Sequence, residues 1–195
     1  MTKAELSTQA VRNVTEADQA FFRSLFDAEY DYVHHSLRRL GVQPRDLEDL
    51  AHEVFVEVYK NLGRYDRQRP IKPWLFAFAF RIASDYRRLA RHRTELGLPE
   101  DVATSTSAER SAEELAADRE AAQLVAVALD AMPIEQRAVF VLYEVDEVPM
   151  KEIAESLGIP ANTAYSRLRL AREIFAAHAA KNRGELQEHE KGGAE

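Results

Sequence analysis

The sequence predicts an all-α protein of two small helical domains joined by a flexible acidic linker. Apolar residues recur at helical spacing in two blocks of the chain, residues 19–93 and 120–183. The 195 residues include only 7 glycines and 7 prolines, too few turn residues for many short strands. Residues 94–119, between the blocks, are rich in serine, threonine and acidic residues and show no apolar period, which is typical of a linker.

Two helices are predicted at the start of the first block. An apolar stripe over residues 22–40 indicates the first helix, which Gly41 ends. A second stripe over residues 47–62 indicates the next helix. Asp46 stands where its side chain can cap this second helix, and Gly63 stands where it can end the helix in a left-handed conformation.

The third predicted helix lies in a segment, residues 65–93, that mixes six aromatic with eight basic residues. It is expected to begin at Pro73, where the missing N–H costs no hydrogen bond, and to bury parts of Trp74, Phe78, Ile82 and Leu89. Aromatic rings stack on unpaired bases while cations follow the phosphates, so this composition indicates single-stranded nucleic acid binding. One helix cannot bury Trp74, Phe76, Phe78 and Phe80 on one face. Some of these rings must therefore point into another helix, a partner or a base, and the alternative is that all are core residues.

The second block is predicted to contain four helices. The first of them carries apolar positions at Leu115, Ala122, Val125 and Leu129. A further helix is expected after Pro133, a short helix after Pro149, and a last helix over about residues 161–180.

The last two helices have the pattern of a helix-turn-helix. Gly158 can adopt positive φ in a short turn, and Pro160 starts the next helix. Spacings of four and three place Ala164, Leu168 and Ala171 inward. The outward residues of this helix would then meet base edges, as in a recognition helix. They are Thr163, Ser166, Arg167 and Arg169. The alternative interpretation is a surface helix whose arginines are merely solvated.

The charge distribution is compatible with nucleic acid binding although the net charge is −7. Residues 94–120 contribute −6, the tail from Gly184 contributes −3, and the first eighteen residues contribute −1. The two helical blocks therefore carry about +3 between them. By contrast, the helix predicted over residues 47–62 has an acidic surface, which is either a solvated face or a docking surface for a basic protein.

Composition also excludes several classes of protein. The sequence contains no cysteine, which excludes disulfides, zinc fingers and a thiol nucleophile. The longest apolar run, Trp74–Phe80, is far shorter than the roughly 20 residues of a membrane span. No Gly-rich phosphate loop or nucleophile–base–acid constellation is visible. We expect a cytoplasmic protein that is not an enzyme, without membrane insertion, cofactor or metal.

Taken together, two segments resemble the extracytoplasmic-function group of the sigma-70 family. DLEDLAHEVFVEVYKNLGRYD followed by RPIKPWLFAFAFRIASDYRR is similar to sigma region 2, and ALDAMPIEQRAVFVLYEVDEVPMKEIAESLGIPANTAYSRLRLARE is similar to sigma region 4. The resemblance implies a transcription initiation factor that binds core RNA polymerase, directs it to specific promoters and helps to melt the minus-10 element. It also implies an anti-sigma partner.

The resemblance implies roles for individual residues. Those expected at the clamp helices of the polymerase largest subunit are Asp49, Leu50, His52, Glu53 and Phe55. Those expected at the minus-10 element are Lys72, Trp74, Arg81, Ser84, Asp85, Arg87 and Arg88, and the loop Gly63–Pro73 corresponds to one that can hold a flipped base. Those expected at the minus-35 element are Thr163, Ser166, Arg167, Arg169 and Arg172.

Two positions depart from the family pattern. His52 stands where many members have Gln, which can alter the contacts with the clamp helices. Arg81 stands where many members have Asn in the minus-10 helix, and arginine favours phosphate or guanine. The minus-10 preference of relatives therefore does not transfer to this chain.

Two other functions fit parts of the sequence. A free-standing helix-turn-helix regulator would explain the second block but not the aromatic and basic segment of the first. A metal-dependent helical enzyme could use Asp31 with His34 and Asp49 with His52, because each pair lies on one helix face.

Overall fold

The computed structural model describes residues 16–95 and 125–192, with side chains described in 16–92 and 125–181. These residues form helices and turns, and no strand occurs among them, so the predicted all-α class is confirmed. The chain divides into two compact units near Pro99, an N-terminal and a C-terminal unit. Most of the predicted linker, residues 94–119, lies outside the described residues, and its boundaries stay a prediction.

The N-terminal unit contains three helices: α1 at Glu16–Arg39, α2 at Leu47–Asn61 and α3 at Ile71–Glu95. Each helix buries an apolar stripe against the other two. The residues that are fully buried in this core include Val33, Leu37, Ala51, Val54, Val58, Leu75, Phe76, Ala79 and Ala83. Burial of this apolar surface is the main force that holds the unit together.

The start and the end of α2 both differ from the prediction. Asp46 does not cap the helix with its side chain, because a 3₁₀ turn at Pro44–Asp46 leads directly into α2 and its backbone carbonyls accept the first N–H groups. Gly63 does not adopt positive φ. It lies in a second 3₁₀ turn, Leu62–Arg64, which continues α2 without a left-handed residue.

The buried face of α3 also differs from the prediction at its C-terminal end. The helix begins at Ile71, two residues before Pro73, and Phe78 is buried as expected. Leu89 is 62% exposed, so its predicted burial is wrong. The physical reason is length: Tyr86 already contacts Asp46, which precedes the first residue of α2, so Leu89 lies beyond the end of that neighbouring helix.

In the C-terminal unit, the first helical segment among the described residues after 95 is 125–130, here α4, in which Leu129 is buried. Val125 is exposed, which corrects the prediction that it faces inward, and Leu115 and Ala122 lie outside the described residues. Helix α5 covers Ile134–Phe140 and widens into a π-helical turn at Val141–Val145.

The two helices of the predicted helix-turn-helix are α6 at Met150–Leu157 and α7 at Ala161–Gly192. Gly158 ends α6 at φ 66° and ψ 37°, in the left-handed region, as the sequence predicts. The N–H of Ile159 then donates to the carbonyl of Ala154 at 2.9 Å, which closes the turn. Helix α7 continues well past residue 180, where it was expected to end.

Replacing Gly158 by alanine should lower the free energy of unfolding of the C-terminal unit by about 1 kcal/mol. A Cβ at this position would meet no atom within 4 Å, so the cost comes only from the left-handed backbone. Gly63→Ala is the matched control, because its Cβ is equally free and its φ is not positive. Urea unfolding of both variants measures the difference, and equal effects would contradict the backbone explanation.

The hydrogen bond between the Tyr86 hydroxyl and the Asp46 carboxylate (2.7 Å) should contribute about 1 kcal/mol to stability. Burial, then this bond, raises the pKa of Tyr86 above its ordinary value. A raised pKa means that the contribution is complete below the ordinary tyrosine pKa, about 10, and is lost as pH rises through the folded value. The stability difference between the wild type and Tyr86→Phe should thus be constant near neutral pH and shrink above about pH 10.

A double-mutant cycle completes the test of this bond. Asp46→Ala is introduced into the wild type and into Tyr86→Phe, and the free energies of unfolding of all four proteins give the coupling between the two side chains. Simple additivity of the two single changes would contradict a direct bond.

Candidate functional site

A row of contacting side chains crosses the N-terminal unit, and we call it the aromatic ladder; its members are Arg67, Phe21, Tyr65, Trp74, Phe78 and Arg81. At one end the Arg67 guanidinium lies 4.4 Å from the centroid of the Phe21 ring. Phe21 stacks on Tyr65 at 6.4 Å between centroids, and Tyr65 lies 4.8 Å from Trp74. Trp74 meets Phe78 edge-on at 4.9 Å, and the Arg81 guanidinium lies 4.6 Å from the Phe78 centroid. Two cations thus flank four neighbouring rings.

The ladder fixes the loop between α2 and α3, because Tyr65 belongs to this loop and inserts its ring between α1 and α3. The Tyr65 hydroxyl donates to the carbonyl of Arg69 at 2.5 Å, and the Arg69 N–H donates to the carbonyl of Asp66 at 3.0 Å. Arg67 pairs with Asp18 of α1 at 3.3 Å. Burial raises the pKa of Tyr65, followed by the effect of Asp66, so the hydroxyl keeps its proton and remains a donor at neutral pH.

The aromatic rings of the segment 65–93 lie partly in the core and partly at the surface, which the sequence alone did not decide. Phe76 and Phe78 are buried in the core, whereas Trp74 and Phe80 are half-buried. Trp74 therefore keeps part of its surface in contact with solvent, between the loop and α3. The interpretation that every ring is a core residue does not hold.

The outer face of α3 brings together the charged residues predicted for the minus-10 element. Arg81 is exposed, and its Nε donates to the carbonyl of Ala77 at 3.2 Å, which holds the guanidinium over the ladder. One turn further, Asp85 and Arg88 form an exposed ion pair at 3.0 Å. Arg87 is half-buried beside them.

Two other residues predicted for the minus-10 element lie differently. The Ser84 hydroxyl donates to the carbonyl of Phe80 at 2.6 Å, and the side chain is half-buried, so this donor is already used by its own helix. Lys72 is exposed at the start of α3, with its Nζ 5.3 Å from the centroid of the Tyr32 ring.

The acidic surface of α2 is formed by one exposed face of that helix. Asp49, His52 and Glu53 are exposed, and Leu50 is half-buried beside them. Val56 lies on the same face and is 52% exposed. Sequence reasoning missed Val56, although its position between the inward residues 54 and 58 is a signal that it points away from the core.

Phe55 is only 2% exposed, so its ring cannot contact a partner directly in this structure. It lies in a cluster of rings, 4.7 Å from Phe26, 6.2 Å from Tyr30 and 6.3 Å from Phe22, measured between centroids. His52 is at the edge of the same cluster, 6.0 Å from Tyr30. The role of Phe55 is therefore to support the exposed face of α2 from behind.

The inward face of α7 agrees with the prediction, since Ala164, Leu168 and Ala171 are all buried. Among the predicted outward residues, Ser166, Arg169 and Arg172 are exposed, whereas Thr163 and Arg167 are half-buried at the edges of the face.

Two arginines of α7 are held by carboxylates of the C-terminal unit. Arg169 pairs with Glu173 one turn later on the same helix. The Nε of Arg172 donates to Glu144 at 2.6 Å, and its guanidinium lies 5.3 Å from the Tyr143 ring. The hydrogen bond to Glu144 is the main cause that raises the pKa of Arg172. Arg172 therefore fixes α7 to the π-helical turn.

Sequence reasoning also missed Tyr165, which stands on the outward face of α7 with 58% of its surface exposed. The available signal is its position, three residues after Asn162 and four before Arg169, on a helix face that does not include the inward Ala164.

The metal-site alternative finds no support in the geometry. In residues 16–92 and 125–181, histidines and carboxylates do not gather in a group of three or more that could hold a metal ion. His34 and His52 instead approach the ring of Tyr30, at 6.3 and 6.0 Å. Across the helices that the structure describes, none is both long and apolar enough to cross a membrane.

Comparison with known families gives two matches in chain order. Residues 25–93 match the model described as Sigma-70 region 2, and residues 122–174 match the model described as Sigma-70, region 4. The first match includes α2 and every member of the ladder except Phe21, and the second includes α6 and the part of α7 up to residue 174.

Curated relatives align over most of the chain. The ECF RNA polymerase sigma factor SigW of Bacillus subtilis is 27% identical over 175 residues, which cover 85% of this chain and 92% of the relative. The ECF RNA polymerase sigma factor SigE of Mycolicibacterium smegmatis is 30% identical over 156 residues, 80% of this chain and 60% of the relative.

Two solved structures share the fold. CnrH in complex with the cytosolic domain of CnrY has a TM-score of 0.60 at 24% identity, covering 90% of this chain and 96% of that one. The sigma factor RpoE in complex with the anti-sigma factor NepR, from Bartonella quintana, has a TM-score of 0.64 at 16% identity, covering 82% and 96%.

The geometry of the ladder can be tested by tryptophan fluorescence, because Trp74 is the one tryptophan of the sequence. Tyr65→Ala removes the ring 4.8 Å away and exposes the indole to water, so the emission maximum should shift to longer wavelength and quenching by iodide should increase. Tyr143→Ala, which changes a tyrosine of the C-terminal unit, is the matched control and should leave the spectrum unchanged. An unchanged spectrum in Tyr65→Ala would contradict the ladder geometry.

Proposed function

The chain belongs to the extracytoplasmic-function group of the sigma-70 family, and from this premise we propose how its surfaces divide the work of initiation. It is a promoter-specific transcription initiation factor, which binds core RNA polymerase and helps to melt the minus-10 element. The family is non-catalytic, since it acts by binding. The residues that perform each step in this chain are the subject of the proposal.

The N-terminal unit engages the minus-10 element through the ladder and the outer face of α3. The observation that carries this assignment is the aromatic ladder, with its half-buried Trp74 and its two flanking arginines. A base that leaves the duplex loses stacking worth a few kcal/mol, and an aromatic surface beside a cation offsets that cost. Because hydrogen bonds and the Arg67–Asp18 pair already fix the loop, little conformational entropy is lost when a base binds.

Arg81 extends this surface along α3, and its chemistry differs from that of an asparagine. Its guanidinium is held over Phe78 while its remaining N–H groups face outward. We assign it to a phosphate or a guanine of the minus-10 region, together with Lys72, Arg87 and Arg88.

The exposed face of α2 binds the clamp helices of core polymerase. Asp49 and Glu53 supply charge that steers association with a basic partner, and Val56, one turn after Glu53, supplies an apolar contact. Leu50 and His52 flank this face. Phe55 contributes by holding the face in shape.

The C-terminal unit reads the minus-35 element with α7. Thr163, Ser166 and Arg167 lie in the N-terminal half of the helix, which in a helix-turn-helix contacts base edges. Arg169 and Arg172 bind phosphate after they exchange a carboxylate for it, or they orient the helix.

An anti-sigma protein is a further proposed partner. One structural neighbour, the sigma factor RpoE, is in complex with an anti-sigma factor, and another, CnrH, is in complex with the cytosolic domain of CnrY. Cytoplasm is the location in which we expect the chain to act, because core polymerase and promoter DNA are found there.

In-vitro transcription tests the proposal: core polymerase and genomic fragments are combined with and without the protein, and the 5′ ends are mapped. We expect new starts that share two spaced upstream elements. Arg167→Ala should keep core binding but lose about 1–3 kcal/mol of affinity at the upstream element, because it removes a side chain that meets base edges.

Two outcomes would contradict the proposal. Duplex DNA binding without any new start, with a compatible core enzyme and folded protein, would favour a free-standing regulator. Unchanged selectivity in Arg167→Ala would remove this residue from the reading surface. Glu135→Ala, an exposed change at the start of α5, is a control that should leave starts and affinity unchanged.

A further inference from the structure

The first two turns of α7 expose three uncharged polar or aromatic side chains. They belong to Asn162, Tyr165 and Ser166 and lie outside the buried face of Ala164 and Leu168. Tyr165 is the largest of them and exposes 58% of its surface. An exposed aromatic side chain is ordinary on most of a protein surface. In the part of a recognition helix that faces base edges, however, it can contact a base.

The ring of Tyr165 forms a ridge between two shallow grooves. The groove on one side is lined by α6 and the turn, including Met150, Ala154 and Ile159. The groove on the other side is lined by later residues of α7, including Leu168 and Arg172. In a helix-turn-helix the N-terminal residues of the second helix contact base edges in the major groove, and Tyr165 is the fifth residue of α7.

The charges around Tyr165 favour a neutral reading surface. Arg169 is paired with Glu173, and Arg172 is paired with Glu144 at 2.6 Å. Lys151 and Glu155, which line the groove on the α6 side, have opposite charges. Arg169 and Arg172 are thus partly neutralised within the unit, so apolar contact by Tyr165 and amide hydrogen bonds by Asn162 can add to the base contact proposed for Arg167.

We propose that Tyr165 and Asn162 select A·T base pairs in the upstream promoter element. The ring of Tyr165 packs on the 5-methyl group of a thymine, and the amide of Asn162 pairs with N6 and N7 of an adenine. The two side chains are three residues apart and share one helix face, so they reach neighbouring base pairs. This inference rests on the proposed function and adds to it the base type that the element must contain.

Replacement of thymine by deoxyuridine tests the contact, because it removes the methyl group and leaves base pairing intact. The probe is the promoter fragment that gives the strongest start in the transcription assay, with each thymine of its upstream element replaced singly on either strand. Binding and open-complex formation are measured with holoenzyme containing the wild type, Tyr165→Ala or Tyr165→Phe. Thermal unfolding checks that each variant is folded.

At one thymine, deoxyuridine should weaken wild-type binding about three- to fivefold, as expected for loss of one buried methyl group. The same replacement should not change DNA binding by Tyr165→Ala. It should weaken DNA binding by Tyr165→Phe, which keeps the ring, as much as it weakens binding by the wild type. 7-Deazaadenine at a neighbouring adenine should likewise weaken binding by the wild type but not by Asn162→Ala.

The inference is overturned if no deoxyuridine affects the wild type, if Tyr165→Ala keeps the same sensitivity, or if the element contains no A·T pair. These failures would leave promoter-specific transcription intact, so they are distinct from a failure of the proposed function. Absence of any promoter-specific start in the transcription assay, with unsubstituted DNA, would overturn both.

Discussion

The loop between α2 and α3 is held in place by the insertion of one ring, that of Tyr65, between α1 and α3. This ring contacts Phe21 on one side and Trp74 on the other, while its hydroxyl closes the loop on Arg69. Without it, Trp74 would lose one of its two neighbouring rings. The contact therefore serves stability, because it buries apolar surface, and in the proposed function it also holds the half-buried indole beside a preformed loop.

The two units hold their exposed arginines by different interactions. In the N-terminal unit, Arg81 lies over the Phe78 ring without a carboxylate partner among the residues that the structure describes, while Arg67 lies over Phe21 and also pairs with Asp18. In the C-terminal unit, Arg169 and Arg172 are held by carboxylates. In the proposed function, the N-terminal unit binds unpaired bases and phosphates, for which available N–H groups are an advantage. The C-terminal unit discriminates between base pairs, for which a weaker nonspecific attraction to phosphate is an advantage.

Sequence reasoning predicted the fold class, the helix-turn-helix and the inward face of α7, because apolar periodicity and the Gly158 turn are local signals. It placed the residues of α2 and α3 on the correct helices. It could not predict that Asp46 bonds Tyr86 rather than capping α2, since that bond joins residues forty positions apart. Nor could it predict that Phe55 is internal, or that Arg137 in the apolar run of α5 is fully buried beside Asp130, because both depend on neighbouring elements.

The carboxylate partners of Arg169 and Arg172 have a consequence for the ion atmosphere of the promoter. Binding of a free cation to a DNA phosphate releases a condensed counterion, and this release makes affinity fall steeply with salt. An arginine that exchanges an internal carboxylate for a phosphate liberates a protein anion at the same time, and that anion attracts cations back from solution. In the proposed function, where these arginines bind phosphate, promoter affinity therefore falls less steeply with salt than a count of the arginines of α7 suggests.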